Sequence, residues 1–155
     1  MKRRVIVSGI IQRGDKILLG KKAKGRPPYP DVWHLLGGGV HNQEKAIELL
    51  ERGDYNNPYF HDELKREIRE EGCVEVTNIR NICPEYRVTP REAVTKNKNG
   101  EDTHYIFLEF LCGYASGTPT PADDITELKW VKRDQLAKVH VTKPSQEMYQ
   151  ELGWL

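Results

Sequence analysis

The chain is short of cysteine, of unbalanced charge, of long apolar runs and of repetitive segments, and each shortage removes a class of function. Three cysteines, Cys73, Cys83 and Cys112, are odd in number and stand at no metal-ligand or redox spacing. A disulfide scaffold is thereby excluded, and reduced structural thiols in a cytoplasmic protein are expected. Lysine and arginine number 24 against 23 aspartates and glutamates, a net charge of +1. That balance excludes a general nucleic-acid binder, which draws its affinity from neutralising phosphates. No apolar stretch approaches the roughly 18 residues of a membrane span, and Met1-Lys2-Arg3-Arg4 leads into a strand pattern with polar residues inside it. No membrane partner is expected. Neither a repeat nor a low-complexity linker divides the 155 residues, so one domain over 1–155 is expected, with a well-solvated surface at 30% charged residues.

What is present is a concentration of carboxylates. Arg66-Glu67-Ile68-Arg69-Glu70-Glu71-Gly72 places Glu67, Glu70 and Glu71 three and four residues apart, on one helix face. At an effective dielectric of about 20, a close like-charge pair costs on the order of a few kcal/mol. A hard divalent cation, bound through carboxylates together with substrate phosphates, would relieve that repulsion. Alone, the run reads first as a solvated face with an Arg66–Glu70 pair. Upstream, however, Trp33-His34-Leu35-Leu36 runs into Gly37-Gly38-Gly39-Val40 and then His41-Asn42-Gln43-Glu44. Consecutive glycines at a strand end allow a backbone to approach a ligand closely, though they also make ordinary turns.

In this order the two pieces resemble the signature of the Nudix hydrolases: a glycine, five residues, a glutamate, seven residues, then Arg-Glu-aliphatic-x-Glu-Glu-x-Gly-aliphatic. Gly38 and Glu44 have the required spacing, and Arg66, Glu67, Ile68, Glu70 and Glu71 match the second half. The resemblance implies that Glu67, Glu70 and Glu71 bind Mg2+ or Mn2+, with the Gly37 carbonyl as a further ligand. It also implies an Arg66–Glu44 salt bridge holding loop to helix, and activation of the attacking water by one of the glutamates or by a water path at the metal. The fold it implies is α/β (α+β), an α/β/α sandwich with a mixed β-sheet.

Three departures accompany the match. Lys45 to Lys65 intervene where seven residues belong, an excess of fourteen. Arg52 falls at the nominal spacing but is followed by Gly53-Asp54, so Arg66 is the better counterpart. The extra piece, about 45–61, reads as a short amphipathic helix through Ala46–Arg52 and a turn through Gly53–Pro58, with Asp62 capping the next helix. An ordered excursion beside the active site is expected, its Tyr55, Tyr59 and Phe60 shaping the pocket or a subunit contact in a homodimer. Second, Gly72-Cys73 replaces the x-Gly order, with Gly72 as a left-handed helix stop one position early. Third, His41 and Gln43 stand where glutamate and glycine are usual.

Elsewhere, strands are expected at Arg4–Ile11 and Lys16–Leu19, joined as a hairpin around Gly14-Asp15. Further strands are expected at Val74–Arg87 (broken at Pro84), His104–Cys112 and Leu128–Val131. Helices are expected at Asp62–Glu71 and Ser145–Leu152, with a shorter turn at Asp134–Ala137. Lys21, Lys22, Lys24 and Arg26 either meet substrate phosphates or form a solvated basic loop. Trp33 either stacks on a base or belongs to the core. Asp123 and Asp124 are turn formers after Pro119 and Pro121, or the extra acidic residue that Nudix proteins place in a late loop. The resemblance implies hydrolysis of a diphosphate linkage in a nucleoside-diphosphate-linked substrate. The alternatives are another activity on the same fold, such as a sugar-nucleotide hydrolase or isomerase, and a nucleotide-binding regulatory module.

Overall fold

The chain is described here by a computed structural model covering residues 1–22 and 32–155. The expectations for Lys24 and Arg26 lie outside the described residues. Strand β1 (Lys2–Arg13) is central. It runs parallel to β7 (Asp102–Ser116) from Lys2 opposite Thr103 to Gln12 opposite Gly113. On its other side it pairs antiparallel with β4 (Leu36–Gly39), Ser8 opposite Gly37, and turns at Gly14 into β2 (Lys16–Lys22). β2 in turn carries β3 (Trp33–His34) and β8 (Ile125–Lys132), while β5 (Glu75–Asn81) and β6 (Arg91–Lys96) both pair with β7. Among the described residues, eight strands therefore form one mixed sheet.

Both faces of this sheet are covered, which is why its central strands are apolar on both sides. Val5, Val7 and Ile11 of β1 point, with Leu108 and Phe110 of β7, into a core closed by α1 (Gln43–Glu51) and α2 (Pro58–Gly72). Ile10, Ile17, Leu19 and Leu111 face the opposite core, closed by a 3-10 turn (Arg133–Lys138) and α3 (Lys143–Glu151) through Leu136, Met148 and Tyr149. On that side Arg91, 6% exposed, sits among Glu109 (3.3 Å), Glu147 (3.3 Å) and Glu151, pinning α3 to β6 and β7. The sandwich is thus α/β/α, as expected.

Several boundaries differ for local reasons. Helix α2 begins four residues before Asp62: Asn57 accepts a hydrogen bond from the Tyr59 amide at 2.9 Å and Pro58 presets the first turn. Asp62 lies inside the helix. At its other end the left-handed residue is Cys73, with φ 59°, rather than Gly72. Gly72 instead gives room to Leu36, whose Cδ1 would lie 2.8 Å from an added Cβ. The expected Val74–Arg87 strand stops at Asn81, and β6, whose residues after Arg91 are exposed, has no counterpart among the expected strands. The excess segment holds α1, a turn with Gly53 at φ 69°, and the first turn of α2. Leu49 and Phe60 are buried in the first core, and the Asn56 side chain accepts from the Asn81 amide at 2.6 Å.

Candidate active site

Helix α2 carries two parallel stripes. Phe60, Leu64 and Ile68, four residues apart, are fully buried against the sheet. One residue before Leu64, Ile68 and Gly72 come Glu63, Glu67 and Glu71, at the border between sheet and solvent. Strand β4 and the loop after it run along that border, meeting one carboxylate per turn. The Gly37 amide donates to Glu71 Oε1 at 2.7 Å, a Cβ on Gly38 would fall 2.6 Å from Glu67 Oε2, and the His41 amide donates to Glu63 Oε1 at 2.6 Å. The spacing is matched on both sides. Eight helical residues at about 1.5 Å and four extended ones at about 3.3 Å both span roughly 12–13 Å. Gly38 is needed because the Glu67 carboxylate fills the space of a side chain. Gly37 is needed because its Cβ would lie 2.1 Å from the Val7 carbonyl oxygen.

Glu71 is 4% exposed. Burial pushes its carboxyl up to about 8, with the Gly37 amide opposing and Glu67 and Asp124 adding to the rise. The segment before β8 brings Asp123 and Asp124 to it. Thr120 and Ala122 amides donate to the Gly72 and Glu71 carbonyls at 3.0 and 3.1 Å, docking that segment on the end of α2. Oxygens of Glu71, Asp123 and Asp124 consequently lie within 4.8 Å of one another, and Asp123 holds a left-handed φ of 57°. Lys22 pairs with Asp124 at 3.4 Å.

Arg66 organises the other carboxylates. Its guanidinium meets Glu63 at 3.0 Å, Glu67 at 3.2 Å and Glu70 at 3.2 Å. Burial raises the Glu67 pKa, Arg66 opposing; in Glu63 burial is outweighed by Arg66 and the His41 amide, which hold it below the usual carboxylate range. The expected Arg66–Glu44 salt bridge is not formed. Glu44 is exposed in the first turn of α1, where an acidic side chain suits the positive end of the helix dipole, and Arg66 is turned to Glu63 instead.

The expected metal residues are therefore divided. Glu71 lies with the two aspartates, Glu67 lies under Gly38 with Arg66, and Glu70 is exposed on Arg66. For Gly37, the amide rather than the carbonyl faces Glu71. Lys21 stands 3.9 Å from Glu127 and 5.5 Å above the Trp33 ring, and Lys129 stands 4.2 Å from the same ring. Trp33 is half-buried and packs on the second core. Of the unusual loop residues, Gln43 clamps the start of β1: its side chain accepts from the Val5 amide at 2.6 Å and donates to the Val5 carbonyl at 3.1 Å and the Val40 carbonyl at 2.9 Å. Glu63 is the site residue that reading the sequence missed. Its signal was present, since it stands four residues before Glu67 and three before Arg66.

No protein-family model matches the chain. Nucleoside triphosphatase NudI of Salmonella newport (strain SL254) is 32% identical to it over 138 residues, spanning 88% of this chain and 87% of that protein. A crystal structure of a MutT NUDIX hydrolase from Burkholderia pseudomallei has the same fold, with a TM-score of 0.67 at 24% identity over 97% of this chain and 98% of that one. The NUDIX domain of Shewanella oneidensis NrtR, solved with ADP ribose, has a TM-score of 0.62 at 14% identity over 98% and 87% of the two chains. These two likenesses concern the fold alone. The NudI relative, aligned along most of both chains, shows that the chain belongs to the Nudix hydrolase superfamily.

Proposed function

We propose that the protein is a metal-dependent pyrophosphohydrolase acting on a nucleoside-diphosphate-linked substrate, a nucleoside triphosphate or a close derivative. The observation that carries this reading is the packing of Glu71, Asp123 and Asp124 oxygens within 4.8 Å of one another, with Glu71 buried and Lys22 paired with Asp124 alone. The donors are all hard oxygens, which suit Mg2+ or Mn2+. Glu71 and the two aspartates would hold such an ion; Glu67 and Glu70 would join them only by leaving Arg66, and Gly37 only by turning its carbonyl toward Glu71. When bound, the ion supplies charge neutralisation at the phosphates and a more acidic attacking water.

The protein's own groups do the rest. Gly37 and Gly38 keep the strand close enough for a phosphate to reach the carboxylates, Arg66 fixes Glu67, and Lys22 borders the site with positive charge, whereas Lys21 stands against Glu127 and Trp33. Water adds to one phosphorus, the bridging P–O bond breaks, and the products are a phosphomonoester and either pyrophosphate or a second phosphate ester. The name of the NudI relative supports a nucleoside triphosphate, and the ADP ribose complex of NrtR supports a place for sugar-linked diphosphates among the candidates. Three cysteines without disulfides go with action in the cytoplasm.

The test is phosphate and pyrophosphate release from nucleoside triphosphates, sugar nucleotides and dinucleoside polyphosphates, with Mg2+, with Mn2+ and with EDTA. Metal-dependent turnover of at least one class is expected. Nucleotide binding without turnover of any would make the protein a binding module instead.

A further inference from the structure

We propose that Glu63, set in place by Tyr59, is the positioning residue that holds the glycine strand to the carboxylate helix in this chain, the task that resemblance assigned to Glu44. The kinetic consequence rests on the hydrolase reading above; the tether itself does not. Glu63 is 8% exposed and its two oxygens are used separately. Oε1 accepts from the His41 amide at 2.6 Å, and Oε2 accepts from Arg66 Nε at 3.0 Å. A charged acceptor shared between a backbone amide and a guanidinium makes two charge-assisted bonds, stronger than neutral ones. One side chain thereby joins the loop that follows the glycines to the arginine that fixes Glu67 and Glu70.

The excess segment explains the exchange of roles. It draws the chain through α1 before α2 begins, leaving Glu44 exposed on α1. The same segment supplies a replacement clamp. Tyr59, one helical turn before Glu63, donates its hydroxyl to Glu63 Oε1 at 3.3 Å and accepts from the Asn42 amide at 2.9 Å. Tyr59 and Glu63 thus bind consecutive loop amides, those of Asn42 and His41. Helix spacing alone fixes this: Tyr59, Glu63 and Glu67 are four residues apart and share a face.

Two measurements on Glu63→Gln, Glu44→Gln and Tyr59→Phe test the assignment: amide hydrogen exchange at His41 and Asn42, and steady-state kinetics with Mg2+ on the best substrate of the screen. Glu63→Gln keeps an acceptor but loses the charge, so exchange at His41 should accelerate about ten-fold or more. Its kcat should fall about ten- to a hundred-fold with KM within roughly three-fold, because misplacement of the carboxylates affects the transition state more than binding. Glu44→Gln should show less than a tenth of either effect. Tyr59→Phe should accelerate exchange at Asn42 and His41 by a few-fold. Equal or larger effects in Glu44→Gln, or wild-type exchange at His41 in Glu63→Gln, would overturn the proposal. Should Glu63→Gln not fold, wild-type exchange in Tyr59→Phe would overturn it equally. If the wild type turns over no nucleotide, the hydrolase reading fails by itself and the exchange contrast still decides the tether.

Discussion

Replacing Glu71 with glutamine separates burial from ligation, because the two act on stability in opposite directions. Without metal, burial holds the Glu71 carboxyl near 8, against 4.5 for an ordinary glutamate. The folded protein therefore keeps a proton that the unfolded chain has lost, and between about pH 4.5 and pH 8 the folded state binds more protons than the unfolded one. Stability from this group is fully present below the lower value and declines as pH rises through the upper one. At pH 7 the gap from 4.5 is 2.5 units, so carrying Glu71 costs up to about 3 kcal/mol at about 1.36 kcal/mol per unit. At pH 5 the cost is under about 1 kcal/mol. Glutamine keeps the acceptor for the Gly37 amide and carries no charge. In EDTA, Glu71→Gln should therefore melt above the wild type, by a few degrees at most at pH 5 and by up to about 6–12 °C at pH 7, levelling above pH 8. Adding Mg2+ should close most of the gap at pH 7. An ion at a hundred times its dissociation constant stabilises the wild type by about 2.7 kcal/mol, and the variant, lacking the carboxylate, gains less. Turnover of the variant should fall by about two orders of magnitude or more. The assay is thermal denaturation from pH 5 to 9, with and without Mg2+. A difference between the two proteins that does not grow with pH, or an equal Mg2+ response, would refute the reasoning.

Other perturbations address other parts of the molecule. Gly38→Ala puts a Cβ where the flexible end of Glu67 lies, so melting should drop by only a few degrees while Mg2+-dependent kcat falls about ten-fold or more; full activity would remove Glu67 from the site. Arg91→Ala leaves Glu109, already raised by burial, without its guanidinium, and should lose about 3–5 kcal/mol at pH 7 in denaturant unfolding. The loss should shrink as pH falls, since protonation removes the charge that Glu109 is left with, and a pH-independent loss would contradict that account. Lys22→Ala removes one surface ion pair, so melting should shift little while kcat/KM falls several-fold; unchanged kcat/KM on every accepted substrate would make Lys22 surface only.

The parts of this fold legible in the sequence are those fixed by local pattern. The β1–β2 hairpin, α1 and the carboxylate helix follow from alternation, from four-residue spacing and from Gly14, each read within a dozen residues. Partners fixed by the path of the chain were not legible. The Glu44–Arg66 expectation kept the two within reach despite the longer path, whereas α1 carries Glu44 away and Asn57-Pro58 starts α2 a turn early, bringing Tyr59 and Glu63 onto the working face. Strand β6 escaped notice because, after Arg91, all its side chains are exposed and none had to be apolar; its place is set by pairing with β7. Asp123 and Asp124 were visible as residues, but their approach to Glu71 depends on two backbone hydrogen bonds between elements fifty residues apart in sequence.

The distribution of charge across the site says where a cation belongs. Six carboxylates gather here, and among the described residues Arg66 and Lys22 are the cations paired with them. Arg66 serves three, Glu63, Glu67 and Glu70, through short contacts, and it does so with one guanidinium whose geometry suits several oxygens. Lys22 touches only Asp124, and Glu71 and Asp123 have no ion pair among the described residues. The same end of α2 presents its final carbonyls, so the negative pole of the helix adds to the deficit, relieved in part by the Thr120 and Ala122 amides. Protonating Glu71 relieves it further, at the expense of stability near neutral pH. In the proposed metal-dependent reading a divalent cation would remove the same deficit without a proton, which would make the Glu71 end, rather than the Arg66 end, the place where metal and folding stability are coupled.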